Sequence, residues 1–336
     1  MSFSPSSVSS ASSPSSPWWE LLRVSALFSV PGDLLAGAAA AGARPGRRTL
    51  LATGSSLCLY EAGMALNDWA DRDTDAVERP GRPIPSGRIT PAAALGAAAG
   101  LTGAGLALAA AAGRPSLVTA TALAATVWAY DLHLKNTPAG PLAMACARAL
   151  DVLQGAGSVA PAGSVRGRRG LRGLGKGWGR AIGKALPSAA LLGTHTFAVT
   201  TVSRHEAQGS SPALPLAALG VVAVVGGVVG GVGRVRGSSG FDSTGGTGSA
   251  LPKRHTRPLL PKATALLYIG TAARPFFHAA LNPSPYLLQR AVGSGIRAMI
   301  PLQAALAARV GAPGTGAAVL ALVPAARRLS RKVSPT

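Results

Sequence analysis

Acidic side chains are scarce in this 336-residue chain: twelve Asp and Glu stand against 33 Lys and Arg, a formal net charge of +21. Charged residues of both signs reach only 13%, where soluble domains carry roughly 25%. Mean hydropathy is positive, at +0.31. So few charges exclude an ordinary soluble surface and point to membrane helices whose basic loops face anionic lipid. Aromatic residues are also few, at 4%. A basic nucleic-acid binder would carry its charge on a polar surface interleaved with aromatics. Here most Arg and Lys lie in short tracts between apolar runs, so no nucleic-acid partner is expected. Cysteine is limited to Cys58 and Cys146, both inside apolar runs, which excludes a disulfide framework and a cysteine metal set. Residues 1–17 are rich in Ser and Pro and lack a basic leader, so they read as a disordered tail rather than a signal peptide.

What is present is a series of apolar runs rich in Ala and Gly, each near the ~20 residues needed to cross a bilayer. They lie at about 21–44, 49–67, 90–112, 115–130, 138–160, 186–203, 212–233, 261–280 and 293–325. The expected fold is therefore an all-α integral membrane bundle of about nine transmembrane helices. It would occupy residues 20–330 between a tail at 1–19 and another at 331–336. A basic loop at 164–185 and a Gly/Ser-rich loop at 234–260 would interrupt it. The pairs Gly226/Gly230 and Gly227/Gly231 have the small-residue spacing that lets membrane helices approach closely.

Five of the twelve acidic residues fall between Asp68 and Glu78. In a chain this apolar such a cluster is costly and calls for a function. Asp68, Asp71 and Asp75 are spaced i, i+3 and i+7, which places them within roughly 60° of one helix face. Three carboxylates on one face repel one another unless a cation lies between them. Hard oxygen ligands of this kind suit Mg²⁺, whose shell is commonly completed by substrate phosphates. Asp73 points elsewhere. The plain alternative is a solvated acidic helix end.

The motif Asn67-Asp68-x-x-Asp71-x-x-x-Asp75, followed by Arg82-Pro83-Ile84-Pro85-Ser86-Gly87-Arg88, resembles that of the UbiA superfamily of intramembrane prenyltransferases. Tyr130-Asp131-Leu132-His133-Leu134-Lys135 is similar to the Tyr-and-Lys loop that follows the family's fourth helix. The resemblance implies a membrane enzyme that transfers a prenyl group from a prenyl diphosphate to an aromatic or other lipophilic acceptor. Asp68, Asp71 and Asp75 would hold Mg²⁺ and, with Tyr130 and Lys135, form the catalytic set. Asn67, Arg72 and Arg82 would help bind the diphosphate. The apolar bundle would house the prenyl tail and exclude water. The implied setting is a bacterial cell membrane with the site facing the cytoplasm, where Arg79, Arg82 and Arg88 satisfy the positive-inside bias.

The family's second aspartate-rich motif has no counterpart here. Beyond Asp151 the chain has only Glu206 and Asp242 as acids. His195, Arg204 and His205, with Glu206 beside them, would then meet the diphosphate directly. This departure is similar to EboC-like members of the superfamily. It also supports a second class of reading, a non-catalytic UbiA-like protein that binds or moves an isoprenoid or aromatic lipid. A transporter is a third, with Asp33 and Asp151 marking a pathway. Arg148 and Asp151, at i and i+3, would either offset each other or leave Arg148 facing a cavity to bind the acceptor. Asp33, inside the first run, is a candidate for hydrogen bonding to the acceptor or for proton removal.

Overall fold

The computed structural model describes residues 16–22, 29–159, 168–231 and 259–324. All regular structure among them is helical. α1 is Pro17–Leu22, α2 Val30–Ala40, α3 Arg47–Ala70, α4 Arg72–Glu78, α5 Pro91–Ala112 and α6 Arg114–Ala129. A π-helical turn, Tyr130–Leu134, extends α6. Then follow α7 Gly140–Ser158, α8 Arg168–Ser203, α9 Ala213–Gly230, α10 Leu259–Leu281, α11 Pro285–Arg309 and α12 Pro313–Leu320. Four described spans are long and apolar enough to cross a membrane by length and composition: Pro91–Ala112, Arg114–Leu134, Ala213–Gly230 and Pro285–Arg309.

Each apolar run corresponds to a helix, with three differences of extent. The helix of the first run begins at Val30, and residues 23–28 lie outside the described residues. The ninth run is broken: Gly311 at φ +86° ends α11, and Pro313 starts α12. The basic stretch expected as a loop at 164–185 is helical from Arg168, as the first part of α8. Its Gly and Arg content hid a continuous helix, because the stretch has no apolar run to mark it. Most of the Gly/Ser-rich segment at 234–260, with Asp242, lies outside the described residues.

The bundle has an inverted polarity. Its outer surface exposes Leu50, Val118, Leu142, Leu216 and Val224, while Asp33, Ser55, Ser56, Arg148, Asp151, Gln154, His195 and Gln303 are buried. Small residues allow this interior to close. A Cβ on Gly37 of α2 would collide with the carbonyl oxygen of Val152 on α7, and one on Gly155 of α7 would collide with the backbone of Leu34. This reciprocal contact draws α2 against α7 and brings Asp33 within reach of Arg148. Of the two glycine pairs in α9, Gly226 and Gly230 face α10, against Ile269 and Ala265, while Gly227 and Gly231 have no neighbour within 4 Å.

The segment after the aspartates is held by its own small core. Ile84 and Ile89 bury with Leu21, Ala65, Leu66, Ala94 and Ala98. Gly87 takes φ +74°, a turn that a side chain disfavours. It lets Ile89 N donate to Pro83 O at 3.0 Å and Gly87 N to Ile84 O at 3.0 Å. Arg88 anchors the far side through Glu20 of α1, at 2.8 Å. The turn thereby presents Arg82 to the end of α3.

Candidate active site

Asp68 and Asp75 are both buried and both accept from one guanidinium nitrogen. Arg82 Nη1 lies 3.1 Å from Asp68 Oδ1 and 2.8 Å from Asp75 Oδ2. Asp71 is the hinge between α3 and α4. The hydrogen-bond ladder passes through it, with Asp71 N on Asn67 O at 2.9 Å and Asp75 N on Asp71 O at 2.8 Å. Its backbone nevertheless leaves helical values, at φ −91° and ψ 1°. That hinge alters the single-face arrangement expected from spacing. Asp68 and Asp75 converge on Arg82, and Asp71 turns to Lys135, whose Nζ is 2.5 Å from Asp71 Oδ1. Lys135 also donates to Asn67 Oδ1 at 3.4 Å. Asp73 is exposed and pairs with Arg72 at 3.4 Å. Arg72 stacks over the Trp69 ring at 4.8 Å and donates to Trp69 O, away from Asp68 and Asp75.

The carboxylates are a hard-oxygen set of the kind Mg²⁺ prefers. Among the described residues no three His, Cys, Asp or Glu side chains stand together as a ready metal site. The cationic positions between the carboxylates are held by Arg82 and Lys135. The donor chemistry therefore fits Mg²⁺, in an arrangement that the protein's own cations now balance.

An apolar cavity of about 250 Å³ opens beside this cluster, between α3, α6, the π-turn and α7. Asn67, Tyr130 and Asp131 form its polar end, and Met64, Val127 and Met144 line its walls. The π-turn, closed by Lys135 N donating to Tyr130 O at 2.9 Å, is a form often found at functional sites. Tyr60 lines the deep end, with its ring centroid 5.3 Å from the Arg148 guanidinium. Behind Tyr60, Arg148 Nη1 meets Asp33 Oδ2 at 2.6 Å and Nη2 donates to Ser29 Oγ at 2.7 Å. Gln303 Nε2 donates to Asp33 Oδ1 at 2.6 Å.

A profile of the UbiA prenyltransferase family matches residues 26–224, more than half of the chain. The chain belongs to the UbiA prenyltransferase family. Its helices superpose on an apo UbiA homologue from Aeropyrum pernix K1 with a TM-score of 0.56 at 16% identity, covering 90% of this chain and 98% of that one. A solved structure described as a digeranylgeranylglyceryl phosphate synthase gives a TM-score of 0.54 at 14% identity, covering 89% and 98%. In sequence, the digeranylgeranylglyceryl phosphate synthase of Methanopyrus kandleri is 36% identical over 115 residues, 34% of this chain and 41% of the relative. That of Methanothrix thermoacetophila is 62% identical over 39 residues, 12% and 15%. The matched stretches thus span less than half of these curated relatives. Family membership and the apolar helices make this an integral membrane protein.

Within this UbiA-family bundle, several residues singled out in the sequence meet: Asn67, Asp68, Asp71, Asp75, Arg82, Tyr130 and Lys135. Others do not. Arg148 pairs with Asp33 rather than Asp151, because the α2–α7 contact brings a better-placed carboxylate. Asp151 accepts from Ser56 Oγ instead. His195 is fully buried, with Nε2 3.0 Å from Gly295 O and Nδ1 3.0 Å from Tyr268 Oη, so it cannot touch a ligand at the aspartates. Arg204 donates to the backbone carbonyls of Lys135, Asn136 and Thr137, which ties the end of α8 to the Lys135 loop. His205 Nδ1 lies 3.2 Å from Thr201 O, within its own helix end. Glu206 is half-buried, and burial pushes its carboxyl above the ordinary 4.5. Asp131 and Tyr60 were not singled out as site residues. Asp131, four residues before Lys135 at the end of an apolar run, carried a usable signal. Tyr60 carried none.

Proposed function

We propose that this chain is a membrane prenyltransferase that uses Asp68, Asp71 and Asp75 to hold Mg²⁺ and a prenyl diphosphate at the mouth of its apolar cavity. The observation that carries the reading is the juxtaposition of three aspartates, Arg82 and Lys135 with that cavity. Mg²⁺, when bound, supplies Lewis-acid neutralisation of charge developing on the leaving diphosphate. Arg82 and Lys135 then exchange carboxylate partners for phosphate oxygens, as charge-assisted donors. Asn67 and Tyr130 line the polar end, and Tyr130 directs its phenol toward the reacting end of the substrate. Met64, Val127 and Met144 hold the prenyl chain and keep water from an allylic cation. Arg204 positions the Lys135 loop through its carbonyls rather than binding phosphate, and His205 and Glu206 lie at the periphery.

The relatives' name favours a lipophilic glyceryl phosphate acceptor over an aromatic one. The basic residues Arg79, Arg82 and Arg88 favour a site on the cytoplasmic side. A second reading, binding or moving an isoprenoid lipid without turnover, draws support from Glu206 being the one acid after Asp151 among the described residues. Pyrophosphate release separates the two. Purified protein with Mg²⁺, prenyl diphosphates of several lengths and either a glyceryl phosphate lipid or an aromatic acceptor should release pyrophosphate with the former. Binding without release across all pairs would establish the non-catalytic reading.

A further inference from the structure

A second cavity, also about 250 Å³, lies between α10 and α11 and is lined by Arg274, His278 and Arg290 with Pro275 and Leu287. It is separate from the aspartate cluster, which is built on α3, α4 and the π-turn. It opens at the same end of the bundle: Ser210 N in the α8–α9 loop donates to Pro283 O in the α10–α11 loop, and Arg204 at the end of α8 grips the Lys135 loop.

Three features identify what it takes. The first is charge without a counter-charge. None of the three basic residues has an ion-pair partner among the described residues. Arg290 only stacks over Tyr286, at 5.8 Å. No acidic side chain among the described residues, Glu206 of the neighbouring loop included, forms an ion pair with them, which leaves the three cations free to take an anion from outside the protein.

The second is placement. Arg274 is exposed in the same outward stripe of α10 as Leu266, Leu267, Phe277 and Leu281. α10 packs between α9 and α11, both long and apolar enough to span. That stripe therefore faces lipid, where an unpaired arginine is strongly disfavoured. The third is depth. Arg274 lies seven residues before the end of α10, about 10 Å along the axis, and Arg290 five residues into α11, about 7.5 Å. Long cationic side chains at these depths snorkel toward the headgroup level.

We infer that Arg274, His278 and Arg290 form a phosphate-binding site that takes the headgroup of an anionic phospholipid at the edge of α10 and α11. Arg274 and Arg290 both line this cavity, and each offers the planar N–H fork that pairs with phosphate oxygens.

The test is thermal unfolding of the full-length protein in neutral detergent, titrated separately with short-chain phosphatidylglycerol, phosphatidylcholine and inorganic phosphate. Phosphatidylglycerol should raise the melting temperature saturably, with phosphatidylcholine and inorganic phosphate far weaker. Arg274→Gln and Arg290→Gln should each weaken the apparent lipid affinity by about tenfold, one charge-assisted contact apiece. Lys262→Gln, another exposed cation of α10, should leave it unchanged. Both arginines are exposed, so each single variant keeps the unliganded melting temperature as its folding control. Equal stabilisation by inorganic phosphate would overturn the lipid assignment in favour of a soluble phosphate. Unaltered lipid affinity in both arginine variants would overturn the site.

Discussion

Arg82→Ala removes the one guanidinium that Asp68 and Asp75 share. Its Nη1 is 3.1 and 2.8 Å from the two carboxylates, each of which is about 5% exposed at the side chain. Removing one partner of a fully buried pair costs about 3–5 kcal/mol, because an uncompensated charge is left behind. Arg82 itself is 22% exposed, so water partly replaces it, and surface pairs contribute only about 0–1 kcal/mol. An intermediate loss of about 2 kcal/mol follows, which corresponds to roughly 3 °C in melting temperature for a chain of this length. Much of that loss is repulsion between the two carboxylates. In an Asp75→Asn background Arg82→Ala should therefore be milder, with a coupling of about 1 kcal/mol in the double-mutant cycle. Mg²⁺ should raise the melting temperature of Arg82→Ala more than that of the parent protein, since the vacated position is one a cation fits. The assay is thermal unfolding in detergent for four proteins with and without Mg²⁺. Additive single effects, within about 0.5 kcal/mol, would refute the shared-guanidinium argument.

Arg204 holds the carbonyls of Lys135, Asn136 and Thr137, so Arg204→Ala should lower turnover by roughly ten- to a hundredfold through misplacement of Lys135. Its melting temperature should move little, and an unchanged rate would detach Arg204 from the site. Glu78→Cys and Glu206→Cys, in a Cys58→Ala, Cys146→Ala background, should label from the same side of sealed vesicles, whereas labelling from opposite sides would end the shared-face topology. Burial raises the Glu206 carboxyl above 4.5, so the native state binds more protons than the unfolded one between 4.5 and the folded value. Stability should therefore fall as pH rises through that window and then level off. Glu206→Gln should flatten the fall, and an unaltered pH profile would contradict it.

Much of this architecture was legible because membrane helices must satisfy their backbone internally and carry apolar faces of a fixed length. The Asp68–Asp75 spacing and the Arg82–Arg88 tail were legible for a different reason, as charge placed where apolar residues dominate. What escaped was tertiary. Spacing along an ideal helix does not foresee the hinge at Asp71 that sends one carboxylate to Lys135. The choice of Asp33 over Asp151 by Arg148 depends on the Gly37–Gly155 approach of α2 and α7, which local sequence does not encode. The contact of Arg204 with the carbonyls of Lys135, Asn136 and Thr137 was not legible either, because the partners of a cation beside a site depend on which loop packs against it. The early part of α8 was hidden because its residues are basic and Gly-rich, with no apolar run to mark it. Tyr60 and Gln303 gave no signal, since their importance lies in partners on other helices.

The most direct test is Mg²⁺-dependent binding of a prenyl diphosphate to the purified, full-length protein, measured calorimetrically in detergent. Binding should be saturable and strongly weakened by chelation of Mg²⁺. It should be lost in Asp68→Ala, Asp71→Ala and Asp75→Ala and nearly retained in Asp73→Ala, whose side chain is turned to solvent beside Arg72. Binding that is indifferent to Mg²⁺, or equally impaired by all four substitutions, would contradict the assignment of these three aspartates as the diphosphate site.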